Sequence, residues 1–247
     1  MKIVVVGGTG LVGRGLVEGL REQGHEAVAA APSTGVDTLT GDGLAAAFAG
    51  AQAVVDVTNS PSFAPDDVLR FFTTSTTNQV AAERAAGVAH HVIVSIVGAD
   101  GLPDSGYLRA KVAQERIVRE SGVPYTILRA TQFFEFLGPI ADAGTDGETV
   151  TLPDTLLQPV AAADLSAALV DVVTAAPVNG IIEIAGPDRR PMAELVGATL
   201  AARGDTRTVA IGAEAQYFGT GVGPASLVPA GTPDITTSTG FEAWLKS

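Results

Sequence analysis

Hydrophobic positions in the first half of the chain come in two alternating textures. Short, mostly unbroken apolar runs occur at Lys2 to Val6 (KIVVV), Ala53 to Val57 (AVVDV), His91 to Ser95 (HVIVS) and Tyr125 to Leu128 (YTIL). Rich in β-branched residues and too short for helices, they predict buried parallel strands. Glu26 to Ala31 (EAVAAA) reads as a further strand, weakened by its alanines. Between these runs the apolar residues move to helical spacing. Leu11, Val12, Leu16, Val17 and Leu20 predict a helix over 10–23, closed by Gly24. A short helix over 43–49 follows Asp42 and ends at Gly50. A long one over 65–86 carries Asp66 and Asp67 in its first turn and Gly87 past its end. The helix over 107–120 has Glu115 and Arg119 at i,i+4 and stops at Gly122, ahead of Pro124. Strands alternating with helices through short connections predict an α/β fold, a doubly wound parallel sheet with helices on both faces.

After residue 130 the rhythm weakens. Gly144 to Gly147 reads as a turn, Thr149 to Leu152 as a strand, 162–173 as a helix, Ile181 to Ala185 as a strand and 192–202 as a helix. Residues 219–240 are dense in Gly, Pro, Thr and Ser and show no period, the mark of a functional or disordered loop. The expected organisation is one domain over 1–247, a core over 1–132 and a smaller capping region over 133–247 packed on one sheet edge.

Composition narrows the function classes. At 46% hydrophobic and 17% charged the chain is globular. Its formal charge of −12 argues against a nucleic-acid or anionic-membrane partner, since Lys and Arg total only 15 and form no long run. With no cysteine, disulfides and thiolate chemistry drop out, which fits a cytoplasmic protein. Met1-Lys2 leads directly into a strand-like run without a signal-peptide pattern, and no apolar run is long enough to span a bilayer. The three histidines, His25, His90 and His91, fall at strand starts, where they are most simply exposed, and no metal site is expected.

The most informative stretch is Gly7-Gly8-Thr9-Gly10-Leu11-Val12-Gly13, between the first strand and the first helix. It satisfies GxxGxxG through Gly7, Gly10 and Gly13, and GxGxxG through Gly8, Gly10 and Gly13. A tight turn, bare backbone for a pyrophosphate and close strand–helix packing all require glycine there, and the helix N-terminus offers donors to the phosphates. In this strand–turn–helix setting the motif predicts dinucleotide binding, and it explains how so acidic a chain could hold an anion. An NAD-selective site commonly carries an acid at the end of the second strand. Here Ala30-Ala31-Pro32-Ser33-Thr34-Gly35 has none before Asp37. That favours NADP, with NAD still open. Ser33 and Thr34 are candidate donors to a 2′-phosphate and Arg14 a candidate cation, although Ser33-Thr34 also suits plain turn chemistry.

Tyr107 and Lys111 lie one helical turn apart in YLRAK, either a proton-delivery pair or ordinary residues of a solvated face. With the glycine turn and Ser95, they give the chain its family likeness. It resembles the short-chain dehydrogenase/reductase superfamily, most of all the atypical NmrA-like NAD(P)H-binding proteins. The stretches VVVGGTGLVG, HHVIVSIVG, YLRAKVAQE and YTILRATQFFEF carry that likeness, well over 1–140 and loosely beyond. The resemblance implies a Rossmann-type fold, a nicotinamide cofactor and a Ser-Tyr-Lys set. Tyr107 would be the proton donor to a carbonyl oxygen. Lys111 would lower the phenol pKa from its ordinary value near ~10 and bond the nicotinamide ribose. Ser95 would steady the substrate oxygen. Ser95 stands 12 residues before Tyr107, as in single-domain members, whereas extended relatives use a later strand position, here Val97, so a structural strand-end hydroxyl is the alternative.

Thr58, Asn59, Ala130 and Thr131, at strand ends, are expected to line the cofactor crevice. Asp42 is either an adenine contact, as in relatives, or an N-cap. Asp56 is expected to bond a neighbouring helix N-terminus rather than cofactor. Phe133, Phe134 and Phe136 follow the strand at 125–128, where a substrate pocket would form, and could equally be core. The expected activity is NAD(P)-dependent hydride transfer to or from a small carbonyl, quinone or alcohol. The alternative is a non-catalytic NADP(H) sensor that binds a protein partner. Substrate identity and oligomeric state are not encoded in any legible way.

Overall fold

In the computed structural model, which describes residues 1–246, the β-branched run Lys2–Val6 forms β1 and the glycine turn leads into α1, Leu11–Glu22. The chain continues through β2 (Glu26–Ala30), α2 (Leu44–Phe48), β3 (Ala53–Asp56), α3 (Pro65–Ala86), β4 (His90–Ile96), α4 (Gly106–Glu120) and β5 (Tyr125–Ala130). It ends with α5 (Leu137–Ala143), β6 (Thr145–Asp146), β7 (Thr149–Leu152), β8 (Leu156–Leu157), α6 (Ala162–Thr174), β9 (Gly180–Ala185), β10 (Arg190–Pro191), α7 (Met192–Ala202), β11 (Thr208–Ile211), β12 (Ile235–Thr236) and α8 (Phe241–Trp244).

Seven strands make a parallel sheet flanked by helices, in the order β12-β9-β5-β4-β3-β1-β2. From β1 the chain goes to β2 on one side and then crosses to β3 on the other, so strand order reverses at β1. Ligands of open α/β sheets bind at such a reversal. Register sets the level of the strand ends: Val6 pairs with Ala30 and with Asp56. Everything that follows these three residues therefore emerges at one edge.

Two compact units divide the chain, and they interleave along the sequence. The first comprises 1–95, 106–129 and 165–182, the second 96–105, 130–164 and 183–247. Within the first, Val4, Val6, Ala30, Leu44, Phe48 and Val54 form one core cluster. A second cluster, Val68, Phe72 and Ala110, joins α3 to α4, with Phe71 and Tyr107 packed against it. On α1 glycines let α6 approach: a Cβ at Gly15 would lie 3.1 Å from the Ser166 side chain, and Ser166 Oγ donates to Val12 O at 2.9 Å.

The second unit holds the pieces the sequence pattern left unresolved. A three-stranded sheet, β11-β7-β6, pairs Thr208–Ile211 in parallel with Thr149–Leu152, and β10 pairs with β8. Residues 219–240, read as aperiodic, contribute only the two-residue β12 and an isolated bridge between Tyr217 and Thr220 at their margin. Among the described residues no helix is long and apolar enough to cross a membrane.

Candidate dinucleotide site

Each glycine of the turn has its own reason. Gly7 has φ 82°, the left-handed region, and a Cβ there would come within 3.1 Å of Thr58 N and the Val57 carbonyl. At Gly8 a Cβ would sit 2.7 Å from Val5 O and 2.8 Å from Ala29 Cα. At Gly13 it would sit 2.2 Å from Gly7 O, so this glycine lets α1 start against β1. Gly10 differs, since a Cβ there would meet only Gly7 O, at 3.2 Å. It is the N-cap of α1, with no side-chain cap and no acid in the first turn. The backbone donors at Leu11, Val12 and Gly13 thus stand at the positive end of a 12-residue helix with no side chain answering them. This open, glycine-walled cradle fits a pyrophosphate.

The end of β2 turns away at once. Gly7 N donates to Ala30 O at 2.8 Å, and Pro32–Thr34 form one 3-10 turn. Thr34 Oγ1 accepts from Ala31 N at 2.9 Å and lies 2.9 Å from Ala31 O and 3.0 Å from Ala29 O. Of the two hydroxyls singled out in the sequence, Thr34 is therefore consumed by its own turn. Ser33 is exposed, and exposed Arg14 has no ion-pair partner among the described residues. The nearest acid, Asp37, accepts from Leu39 N at 2.7 Å and Thr40 N at 3.3 Å within its own loop. Asp42 does not cap α2, because left-handed Gly43 (φ 78°) occupies that place. Asn78 of α3, which the sequence pattern did not flag, fastens this loop by donating to Thr38 O at 2.9 Å and Leu39 O at 3.1 Å.

At the end of β3 the turn meets α4. Asp56 is buried and bonds no helix N-terminus: Oδ1 accepts from Thr58 N (2.8 Å) and Oγ1 (2.6 Å), Oδ2 from Gln79 Nε2 (2.9 Å) and Gln114 Nε2 (3.1 Å). Asn59 Oδ1 accepts from Ser60 N at 2.9 Å and from the Tyr107 hydroxyl at 2.8 Å. Tyr107 is thus bonded to the loop whose Thr58 leaves no room for a Cβ at Gly7. The Tyr107 ring sits between Phe63 (centroids 5.7 Å apart) and Phe72 (5.9 Å, edge-on). Phe63 is 62% exposed and was not anticipated.

Lys111 is buried, with its ammonium 4.2 Å from the Phe72 ring centroid and bonded to Gln114 Oε1. Burial lowers its pKa to about 8 against the pull of Asp56 and Glu115. The expected lowering of the Tyr107 pKa is not found. Burial pushes the phenol up to about 12, and the Lys111 ammonium is bonded to Gln114 over the Phe72 ring. Ser95 is buried, and its hydroxyl donates to Glu115 Oε1 at 2.6 Å. Glu115 also accepts from Arg129 Nε (2.9 Å), Arg129 Nη2 (2.9 Å) and Arg119 Nη2 (2.7 Å), which includes the i,i+4 pair read from the sequence. The structure thus gives Ser95 a place in a buried ionic cluster.

The histidines at the start of β4 are interior, not exposed. His90 Nε2 meets Thr126 Oγ1 at 2.9 Å, and burial lowers its pKa. His91 Nδ1 meets Glu83 Oε1 at 2.5 Å; burial lowers its pKa, but Glu83, with Asp56 behind it, outweighs that and raises it. Buried partners on α3 and β5 explain both.

In the second unit, Ala130 is buried, and Thr131 Oγ1 donates to Gln158 O at 2.7 Å while its N–H donates to Ile184 O at 3.1 Å. Phe134 is fully buried and stacks on Trp244 (5.1 Å, 21°), so it belongs to that unit's core. Phe133 and Phe136 are half-buried and meet edge to face at 5.9 Å.

A family profile described as NAD(P)H-binding matches residues 7–176. Among curated proteins, the chain is 29% identical over 222 residues to the chloroplastic divinyl chlorophyllide a 8-vinyl-reductase of Oryza sativa subsp. indica, covering 76% of this chain and 55% of the relative. It is 33% identical over 144 residues to a (4-alkanoyl-5-oxo-2,5-dihydrofuran-3-yl)methyl phosphate reductase of Streptomyces griseus, covering 53% and 48%. A photosystem II assembly factor, Ycf39 of Cyanophora paradoxa, is 25% identical over 165 residues, covering 61% and 51%. The chain spans about half the length of these relatives. Among solved structures, MoeE5 in complex with UDP-glucuronic acid and NAD superposes with a TM-score of 0.76 at 21% identity, over 100% of this chain and 97% of that one. The NADPH complex of the Escherichia coli NADPH-dependent quinone oxidoreductase QOR2 gives 0.67 at 22%, over 86% and 78%. At such identities the likeness speaks for the fold.

Proposed function

The chain belongs to the NAD(P)H-binding family, and from that premise we propose that it is an NADP-preferring reductase of the atypical short-chain type. Its substrate is a small, mainly apolar carbonyl or quinone, and Tyr107 is the proton donor. The observation that carries this reading is the bond from the Tyr107 hydroxyl to Asn59, next to Thr58 and the glycine turn. Burial, which pushes the phenol up to about 12, keeps it protonated through the neutral range, so a proton is present at Tyr107 to be delivered.

In this reading the cofactor, when bound, supplies the hydride. The backbone at Gly7, Thr9, Gly10, Leu11, Val12 and Gly13 would hold its pyrophosphate, Arg14 and Ser33 would take the 2′-phosphate, and Asp42 would reach the adenine. Thr58 and Asn59 flank the nicotinamide end. Lys111, one turn along α4 with its ammonium on Gln114 and over the Phe72 ring, would take the nicotinamide ribose as a further partner. The exposed face of Phe63 beside Tyr107 supports an apolar or planar substrate. Ser95 is given no part in it, because its hydroxyl is bonded to Glu115 in the interior, whereas the Tyr107–Asn59 bond lies at the surface. Two curated relatives are named as reductases. The test is loss of NADPH absorbance with a panel of quinones, ketones and aldehydes, in the parent and in Tyr107→Phe.

One observation favours a second reading, an NADP(H)-sensing regulator of a protein partner. The Lys111 ammonium and the Ser95 hydroxyl are both satisfied inside the protein. One relative, moreover, is named as an assembly factor. Cofactor binding without turnover of any panel member would select it.

A further inference from the structure

Asp56 ends β3 at 2% exposure, and its two oxygens serve different elements. Oδ1 holds the backbone and hydroxyl of Thr58, while Oδ2 takes one amide proton each from Gln79 of α3 and Gln114 of α4. Gln79 Nε2 is itself 3.0 Å from Ser75 Oγ. A carboxylate so deep is costly unless a charge or several donors answer it. Here the cation is Lys111, reached through one amide: Gln114 Nε2 faces Asp56 and Gln114 Oε1 takes the ammonium.

The polarity of that amide is dictated. A glutamine side chain has a donor end and an acceptor end of almost equal shape. A carboxylate accepts only, so it draws the NH₂ of Gln114 and leaves the oxygen for Lys111. Turned round, the amide would set oxygen against carboxylate and NH₂ against ammonium. Asp56 therefore fixes Gln114, and Gln114 fixes where the ammonium sits. The same carboxylate pins Thr58, whose neighbour Asn59 accepts the hydrogen bond of the Tyr107 hydroxyl.

We infer that Asp56 is a positioning residue for the Tyr107–Lys111 pair, acting on Lys111 through Gln114 and on the Asn59 loop through Thr58. This rests on the proposed role of the pair, but its test does not. Lys111 is faced by Glu115 and Gln114 from α4, by Phe72 from α3 and by Asp56 from β3, with His91 of β4 and its partner Glu83 behind Asp56. Removing the Asp56 charge, or the amide that transmits it, leaves burial to act on the ammonium with less opposition.

The chain has three lysines, Lys2, Lys111 and Lys246, so selective ¹³C-lysine labelling gives three resolvable side chains, with Lys111→Met assigning the buried one. Asp56→Asn and Gln114→Leu are each expected to lower the Lys111 pKa by about one pH unit. The exchanged double variant, Asp56→Asn with Gln114→Glu, places a carboxylate directly on the ammonium and should restore or raise it. The alkaline limb of turnover against pH should move with it. If Asp56→Asn does not fold, Gln114→Leu carries the test alone. An unchanged Lys111 titration in folded Gln114→Leu, or a double variant that behaves like Asp56→Asn, overturns the inference. The titration needs neither cofactor nor substrate, so failure of Tyr107 as proton donor would leave it standing, and its own failure would leave the reductase reading intact.

Discussion

The Tyr107 hydroxyl donates to Asn59 Oδ1 at 2.8 Å, tying the first turn of α4 to the loop that follows β3. The contact joins residues 48 positions apart and sets the candidate proton donor beside the strand end that overlies Gly7. Asn59→Ala removes the acceptor but leaves the ring in its aromatic sandwich. Turnover should fall by about tenfold, the scale of one lost hydrogen bond, with NADPH affinity little changed. Steady-state kinetics alongside a binding titration checks this.

Gly10→Val and Gly13→Val should fail differently. At Gly10 the side chain has room against the fold and enters the open cradle, so the chain should fold yet lose NADPH binding. At Gly13 a Cβ would lie 2.2 Å from Gly7 O, so folding itself should suffer. Circular dichroism melts with calorimetric titration of NADPH separate the two.

Cofactor choice follows from the acid-free end of β2. NADPH should bind more tightly than NADH, and Arg14→Ala should narrow the gap by about tenfold, as expected for a lost charge-assisted hydrogen bond. Ser33→Ala should narrow it less. Thr34→Ala should act through stability, since its hydroxyl closes the turn at 31–34. Equal affinities for the two cofactors in the parent would contradict the assignment.

The glycine turn was legible in the sequence because its physics is local: a β-branched run, glycines at fixed spacing and a helical apolar stripe each declare themselves within a few residues. Lys111 was legible as a residue but not as an environment. Its partners Gln114, Phe72 and Asp56 lie on three elements, and only the fold brings them together. Ser95 shows the same limit, since a strand-end serine looks alike whether it faces a crevice or Glu115, 20 residues on. Phe134 reads as pocket or core until Trp244, far along the chain, stacks on it. Beyond residue 150, β8, β10 and β12 span two residues each and rest on pairing with distant partners, which leaves no period to detect.

Burial of Lys111 has a signed consequence. Its folded pKa of about 8 lies below the ordinary lysine value of 10.5, so between these the unfolded chain holds more protons and stability rises with pH. The benefit is fully present above 10.5 and lost as pH falls through about 8. Denaturant melts of the parent should show this rise, and Lys111→Met should flatten it. Turnover should decline over the same alkaline range as the ammonium is lost, while the Tyr107 phenol stays protonated to about 12.

Phe63 presents an exposed ring face beside the phenol. Phe63→Ala should raise KM for planar quinones by about threefold to tenfold, as for one lost aromatic contact, with kcat nearly kept. A small aliphatic ketone should be affected less, and Phe63→Trp should recover the quinone KM.

Proton delivery in this reading falls to Tyr107. Tyr107→Phe keeps the ring between Phe63 and Phe72 and removes only the hydroxyl. With any substrate that the parent turns over, kcat should fall by ~10²–10⁴-fold, the usual worth of general acid–base help, while folding and NADPH affinity stay near parental. A Tyr107→Phe protein that turns over at nearly the parental rate would rule Tyr107 out as the proton donor.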